Sequence, residues 1–457
     1  MSNHSDEDLP GETTGLLNGH HNEWPNGHSP SGGWKHFFFN RRSTPGTESP
    51  NRLVRYSAST WHITKVTLMS NYVNFLLLII PVAIVGGELG WDPTTVFILN
   101  FFAIIPLAAV LSFATEEIAM RLGETLGGLL NATFGNAVEL IVSIVALRDG
   151  QIEVVQASML GSILSNLLLV LGMSFFFGGL RNLRNPDGSG MEQRFPSGTA
   201  QTTCSLLALS SASLVIPATL YNVIDSPNED KEGPILFLSR GTAVILLLLY
   251  GLYLWFQLRT HHNLFDGVHH EDPEATQTSV EQEEEREHEE PCMGLVPAII
   301  VLVATTVVVA ICADYLVASI DPIVETSQIS KAFIGLILIP IVGNAAEHAT
   351  AVVVAMKNKM DLAMGVAIGS SIQIALLVTP FLVMFGWAIG QPMSLHFETF
   401  STVAFAFSVL VVTYTVQDGR SNYLEGAMLL GLYCIIALAF YVSPSLDASK
   451  AIKFVSS

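Results

Sequence analysis

The sequence predicts an all-α polytopic membrane protein of about eleven transmembrane helices, with one extra N-terminal helix followed by two inverted five-helix repeats. Three observations carry this reading. Half of the 457 residues are hydrophobic and only 13% are charged, with a mean hydropathy of +0.47, far from the balance of a soluble domain. Apolar windows long enough to span a bilayer recur along the chain. A polar motif that is costly in lipid occurs twice, at a constant offset.

Residues 1–58 are polar and rich in Asn, His, Gly, Ser and Pro, with no apolar core ahead of a cleavage pattern. They are expected to form a disordered cytosolic tail, not a secretory signal. Apolar windows then fall near 70–90, 93–115, 123–147, 152–178, 200–222, 236–258, 294–318, 330–356, 361–387, 395–416 and 422–443. The expected partition is an extra first transmembrane helix within 59–92, a first repeat over 93–260, an acidic connection at 261–292, a second repeat over 293–445 and a tail at 446–457.

With a cytosolic N-terminus and eleven crossings, fifteen of the twenty-one Lys and Arg fall on the cytosolic side, as the positive-inside rule asks. The C-terminus is then lumenal. Much of the net charge of −19 comes from the acidic run at 271–290 and says little about the membrane body. Cys204, Cys292, Cys312 and Cys434 lack CxxC spacing, so they read as packing residues and indicate neither a disulfide framework nor a zinc ribbon.

The duplicated motif lies in the third and eighth windows. "GNAVELIVSIVAL" starts at Gly135, "GNAAEHATAV" at Gly343, and Gly-Asn-x-x-Glu matches at an offset of 208. The same offset maps Gly161-Ser162-x-x-Ser165 onto Gly369-Ser370-x-x-Gln373, so each acid lies 22 residues before a Gly-Ser pair. Five spans separate the copies, and an odd number of crossings turns the second copy upside down. Inverted repeats are the architecture of many secondary transporters, with the substrate held near the midplane.

Positions i and i+3 share a helix face, so Asn136 with Glu139, and Asn344 with Glu347, each present a carboxamide and a carboxylate together. Gly135 and Gly343 allow close backbone approach or a break that frees carbonyl oxygens. Ser162, Ser165 and Asn166 share a face of the fourth span, and Ser370 and Gln373 share one in the ninth. For these partners, lining an ion path and simply joining helices both fit. His348 points about 100° from Glu347, where a proton relay and a structural role both fit.

Two carboxylates with neutral oxygens and no nearby Cys suit a hard divalent cation. Ca²⁺ fits best, and Mn²⁺ accepts the same donors. Held close in low dielectric, the two acids cannot both stay bare anions, so protons and metal compete for the same oxygens. If the site opens to each side in turn and crosses only when occupied, the result is antiport. No cofactor beyond the transported ions is expected.

The two GNxxE segments, the "GETLGGLLNATFGNAVEL" context at 123–140 and the GNAAEH copy resemble the cation/proton exchangers of the Ca²⁺/cation antiporter superfamily, and most closely the fungal vacuolar calcium/proton exchangers, over about residues 60–445. The resemblance implies Glu139 and Glu347 as the central ion- and proton-binding acids, with Asn136 and Asn344 beside them and Ser162, Ser370 and Gln373 along the path. It also implies eleven helices, an acidic segment between the sixth and seventh, and export from the cytosol into an acidic vacuole.

The remaining features are expected as follows. The 261–292 connection is either a solvated linker or an acidic helix gathering calcium at the cytosolic mouth. His261, His262, His269 and His270 form a possible metal cluster. Glu116 and Glu117 end the second span at the cytosolic face, where they read as solvated acids, with an entrance role as the alternative. Glu12, Leu16 and Leu17 match an acidic dileucine signal for a sorting adaptor. The alternatives are a sodium/calcium exchanger, a passive divalent-cation channel, and an intramembrane metal-dependent hydrolase. The hydrolase is disfavoured by the lack of HExxH or GxSxG spacing, and the channel by the inverted repeat.

Overall fold

The computed structural model describes residues 44–47, 49–182, 192–195, 197–223, 232–261, 291–327 and 329–442, and these are almost entirely helical. The chain opens with α1 (Arg52–Ser70) and α2 (Tyr72–Glu88), which meet at 115°. Asparagines make the corner. Asn51 caps α1 through Leu53 N at 3.2 Å. Asn71 adopts an extended conformation, ends α1 and caps α2 through Val73 N at 3.1 Å. One expectation is corrected here. Helix begins at Arg52, inside the segment expected as tail, and α1 turns sharply away from α2, which falls where the first apolar window was expected.

The first repeat comprises α3 (Pro93–Leu122), the broken pair α4 (Glu124–Phe134) and α5 (Ala137–Arg148), α6 (Ile152–Arg181), α7 (Ser197–Val223) and α8 (Glu232–Thr260). The second comprises α9 (Leu295–Ser327), the broken pair α10 (Lys331–Gly343) and α11 (Ala345–Met356), α12 (Met360–Ile389), α13 (Thr399–Val416) and α14 (Tyr423–Val442). Among the described residues eight helices are long and apolar enough to cross a membrane, and counting each bent pair as one span brings the number to eleven.

The breaks confirm the repeat in three dimensions. The first pair bends by 45° and the second by 57°, both at the Gly-Asn step. π-Helical turns also recur almost in register, at Ser165–Val170 of α6 and Ile374–Val378 of α12. Such turns are frequent at functional sites because they interrupt the regular hydrogen-bond ladder. α6 is the most buried of the long spans, whereas α8, α9 and α14 present residues such as Phe237, Ile300 and Ile435 outward, as helices facing lipid do.

Two connections tie the helix ends. On the face that carries the acidic connection, β1 (Gln193–Arg194) pairs antiparallel with β2 (Arg420–Ser421). There the Gln193 amide donates to Ala355 O and Asn358 Oδ1, both at 3.0 Å. On the opposite face the segment after α12 folds inward and buries Met393, Leu395 and Phe397. Gln156 holds it by donating to the carbonyls of Ser394 and His396, each at 3.0 Å.

The expectation of solvated acids ending the second span is corrected for Glu117. α3 runs on to Leu122, and Glu117 is 2% exposed. It accepts the backbone N–H groups of Cys292 at 3.1 Å and Met293 at 2.8 Å. The Arg121 guanidinium donates to the Met293 carbonyl. Glu117 therefore docks the returning end of the acidic connection instead of facing water. Cys204 and Cys312 are buried, Cys434 is exposed, and all four cysteines are unbridged. His261 stacks on Phe256 with ring centroids 4.1 Å apart. The acidic run at 271–290, His262, His269, His270, the 446–457 tail and Glu12, Leu16 and Leu17 lie outside the described residues.

Candidate ion-binding site

Asn136 and Asn344 occupy the N-cap positions of α5 and α11, yet neither uses its side chain to cap its own helix. Asparagine normally does so. Both carboxamides reach instead into the opposite repeat. Asn136 Nδ2 donates to Gln373 Oε1 of α12 at 2.6 Å, and its Oδ1 lies 2.8 Å from the Ser370 hydroxyl. Asn344 Nδ2 donates to the Ser162 carbonyl of α6 at 3.4 Å. The two Gly-Asn breaks thus exchange contacts across the pseudo-twofold relation.

The acids sit in the first turns of α5 and α11, where helix N-termini favour negative charge. Glu139 is 7% exposed and lies against the other break, since a Cβ on Gly343 would stand 2.8 Å from Glu139 Oε1. Glu347 Oε1 lies 3.1 Å from Ser370 Oγ, which also receives Asn166 Nδ2 at 3.0 Å. Glu139 and Glu347 are near enough for their charges to interact. Both belong to one site in the protein interior.

Among the described residues, three acceptors in this cluster are buried with no donor in hydrogen-bond geometry: Glu347 Oε2, Asn166 Oδ1 and Asn344 Oδ1. In a membrane interior each such oxygen needs a proton donor or a cation. Among the described residues no group of three or more His, Cys, Asp or Glu could hold a metal ion. The donors on offer are two carboxylates and neutral oxygens, which suit a hard cation.

The other expected residues join the same cluster. Ser165 Oγ lies 3.1 Å from His348 Nε2, which places His348 against α6, on a different side of α11 from Glu347. Ser162, Ser165 and Asn166 are each at most 1% exposed. Beside Glu139 lies a cavity of about 10 Å³, lined by Ser158, Ser162, Met159, Val142 and Gly343 among others, about the space one water needs. Ser158 is absent from the sequence-derived set. Its signal was its place one turn before Ser162 on the same face of α6.

Comparison with known proteins places this arrangement. The family model described as sodium/calcium exchanger protein matches residues 93–259 and 297–442, which hold both breaks and every site residue. The chain belongs to this family. A vacuolar calcium ion transporter of Schizosaccharomyces pombe is 50% identical over 383 residues, covering 84% of this chain and 87% of that protein. A Ca(2+)/H(+) antiporter of Synechocystis is 46% identical over 374 residues, covering 81% and 97%. Native YfkE superposes with a TM-score of 0.65 at 36% identity, covering 81% of this exchanger-family chain and all of that one. The H+/Ca2+ exchanger CAX shares the fold, with a TM-score of 0.58 at 13% identity. The chain is a membrane transporter, not an enzyme.

Proposed function

We propose that this protein is a secondary active antiporter that moves cytosolic Ca²⁺ into an acidic vacuolar lumen in exchange for protons, by alternating access. The observation that carries the proposal is the convergence of Glu139 and Glu347, from oppositely oriented repeats, on one buried site whose spare acceptors lack donors. The relatives named as vacuolar calcium transporters and Ca(2+)/H(+) antiporters support both the ion pair and the vacuole. A cytosolic N-terminus, supported by the basic-residue count, makes the face of the acidic connection cytosolic.

Proton counting at Ser370 supports a coupling of proton and metal at this site. Its hydroxyl has one proton and two neighbouring acceptors, Asn136 Oδ1 and Glu347 Oε1. With Glu347 protonated, the acid donates to Ser370 and Ser370 donates to Asn136. With Glu347 ionised, Ser370 turns to the carboxylate and releases Asn136 Oδ1 to a cation. Proton loss therefore frees oxygens for the metal, and proton return takes them back. Glu139, Glu347, Asn136, Asn344 and Asn166 supply the oxygens, which admit Mn²⁺ as well as Ca²⁺.

The test uses purified protein in vesicles with an acidic interior. Ca²⁺ uptake is expected, and Glu139→Gln and Glu347→Gln are each expected to abolish it while the protein stays folded and monodisperse. Normal uptake by both variants would remove these acids from the mechanism. Uptake that follows an imposed Na⁺ gradient, and ignores the proton gradient, would favour the sodium-coupled alternative.

A further inference from the structure

The two half-helices leading into the breaks, α4 and α10, correspond at the offset of 208, yet they lean in different directions. Gly127 of α4 presses on the Ala119 carbonyl of α3, leaving no room for a side chain. Its counterpart Gly335 of α10 presses on α6 instead, where an added Cβ would come within 2.6 Å of Ala157 Cβ and 3.1 Å of Val154 O. Gly161 of α6 in turn meets the Leu336 backbone. α10 is packed against the fourth span at backbone contact.

In the other repeat, the positions equivalent to Ala157 and Gly161 are Gly365 and Gly369 of α12. Among the described residues a Cβ at either would meet nothing within 4 Å, and Gly365 is exposed. The site is therefore shut between α6 and α10 on one face and parted between α4 and α12 on the face of the acidic connection. Each repeat displays one of two positions open to the same half-helix.

We propose that Gly365 and Gly369 form the closing surface of the cytosolic gate. In the opposite state α4 leaves Ala119 and packs on these two glycines, while α10 leaves Ala157 and Gly161 and moves to Ser327 of α9, the counterpart of Ala119. This assignment rests on the antiport reading and adds the residues that gate it. The chemistry suits the movement. α4 offers Gly127 and Gly128 where α10 offers Gly335 and Leu336, so the cytosolic closure is glycine on glycine and needs no side chain to interdigitate. Leu258, whose Cδ2 stands 3.0 Å from a Cβ placed on Gly128, has to turn aside. At the far end Lys331 pairs with Asp321 of α9 at 2.6 Å and donates to Gln151 at 3.1 Å. The movement gives up the Gln151 bond and keeps the ion pair, because Asp321 and Ser327 lie on the same helical segment.

The test is Gly365→Leu and Gly369→Leu. Both positions have room here, so folding and Ca²⁺ binding are expected to persist while uptake falls at least about tenfold, because the closed cytosolic state is blocked; about tenfold corresponds to about 1.4 kcal/mol. The second measurement is a disulfide between Gly128→Cys and Gly369→Cys in a chain lacking the four native cysteines. Bridging requires Cα atoms within about 7 Å, so the link is expected during turnover and should stop uptake until reduced. Unchanged uptake in both leucine variants, or uptake without any 128–369 link, overturns the proposal. The link is read on a gel without ion flux, so a double-cysteine chain that links, in a cysteine-free background that takes up no Ca²⁺, supports the gate and counts against the antiport reading alone.

Discussion

Gly343→Ala tests the shared site through its tightest contact. The new Cβ would stand 2.8 Å from Glu139 Oε1 and 3.3 Å from its Cδ. Ordinary contact begins near 3.4 Å, so the carboxylate must retreat by about 0.6 Å from its place beside the second break. The obstacle is the far end of a side chain and not backbone, so the fold should survive with little loss of stability. Function should not. A ligand oxygen held about 0.6 Å out of place forfeits much of its contact with the ion, so Ca²⁺ affinity is expected to fall roughly tenfold, or about 1.4 kcal/mol. Initial uptake into acid-loaded vesicles across a range of Ca²⁺ concentrations reads the shift, with the thermal melt of the detergent-solubilised protein as the folding control. Wild-type affinity in Gly343→Ala would refute the claim that Glu139 must lie against the Gly343 break to bind the ion.

The remaining predictions concern other contacts. Ser370→Ala removes the hydroxyl that joins Asn136, Glu347 and Asn166; bonds to charged groups contribute about 1.5–3 kcal/mol, so uptake should weaken about tenfold to a hundredfold in the same assay. Glu117→Ala removes the acceptor of the Cys292 and Met293 N–H groups, and at about 1–3 kcal/mol for the buried Met293 donor it should lower the melting temperature, as tryptophan fluorescence would show. His396, in the segment between α12 and α13, stacks on Tyr221 at 4.1 Å, and burial holds its pKa below the usual imidazole value. The fold therefore binds fewer protons than the unfolded chain in that interval, so this contribution is complete above about pH 6.5 and is lost as pH falls through the lowered value. His396→Phe keeps the stack without the titration and should flatten the acid limb of a plot of melting temperature against pH.

Much of the site was legible because it is written twice. Glu139, Glu347 and their asparagines stand out as polar residues in greasy segments, and the offset of 208 doubles the signal without any knowledge of contacts. Glu117 shows the opposite case. An acid near a helix end reads as solvated until the chain returning at Cys292 and Met293 covers it, and nothing local encodes that meeting. α1 shows a third, because nothing local in the polar stretch ahead of the first apolar window reveals that it forms a helix which Asn71, in extended conformation, turns by 115° from α2.

The sequence by itself determined the membrane class, the number of spans, the inverted repeat and the two acids at matching positions within it, because hydropathy, parity and a duplicated motif are properties of order along the chain. Only the tertiary structure decided which oxygens meet, that Asn136 gives up capping its own helix to reach α12, and that α10 lies on α6 while α4 stands apart from Gly365 and Gly369. Those outcomes depend on distances between segments far apart in the chain. Two halves with the same pattern can hold two different positions, and a repeat read in one dimension is silent about which half holds which.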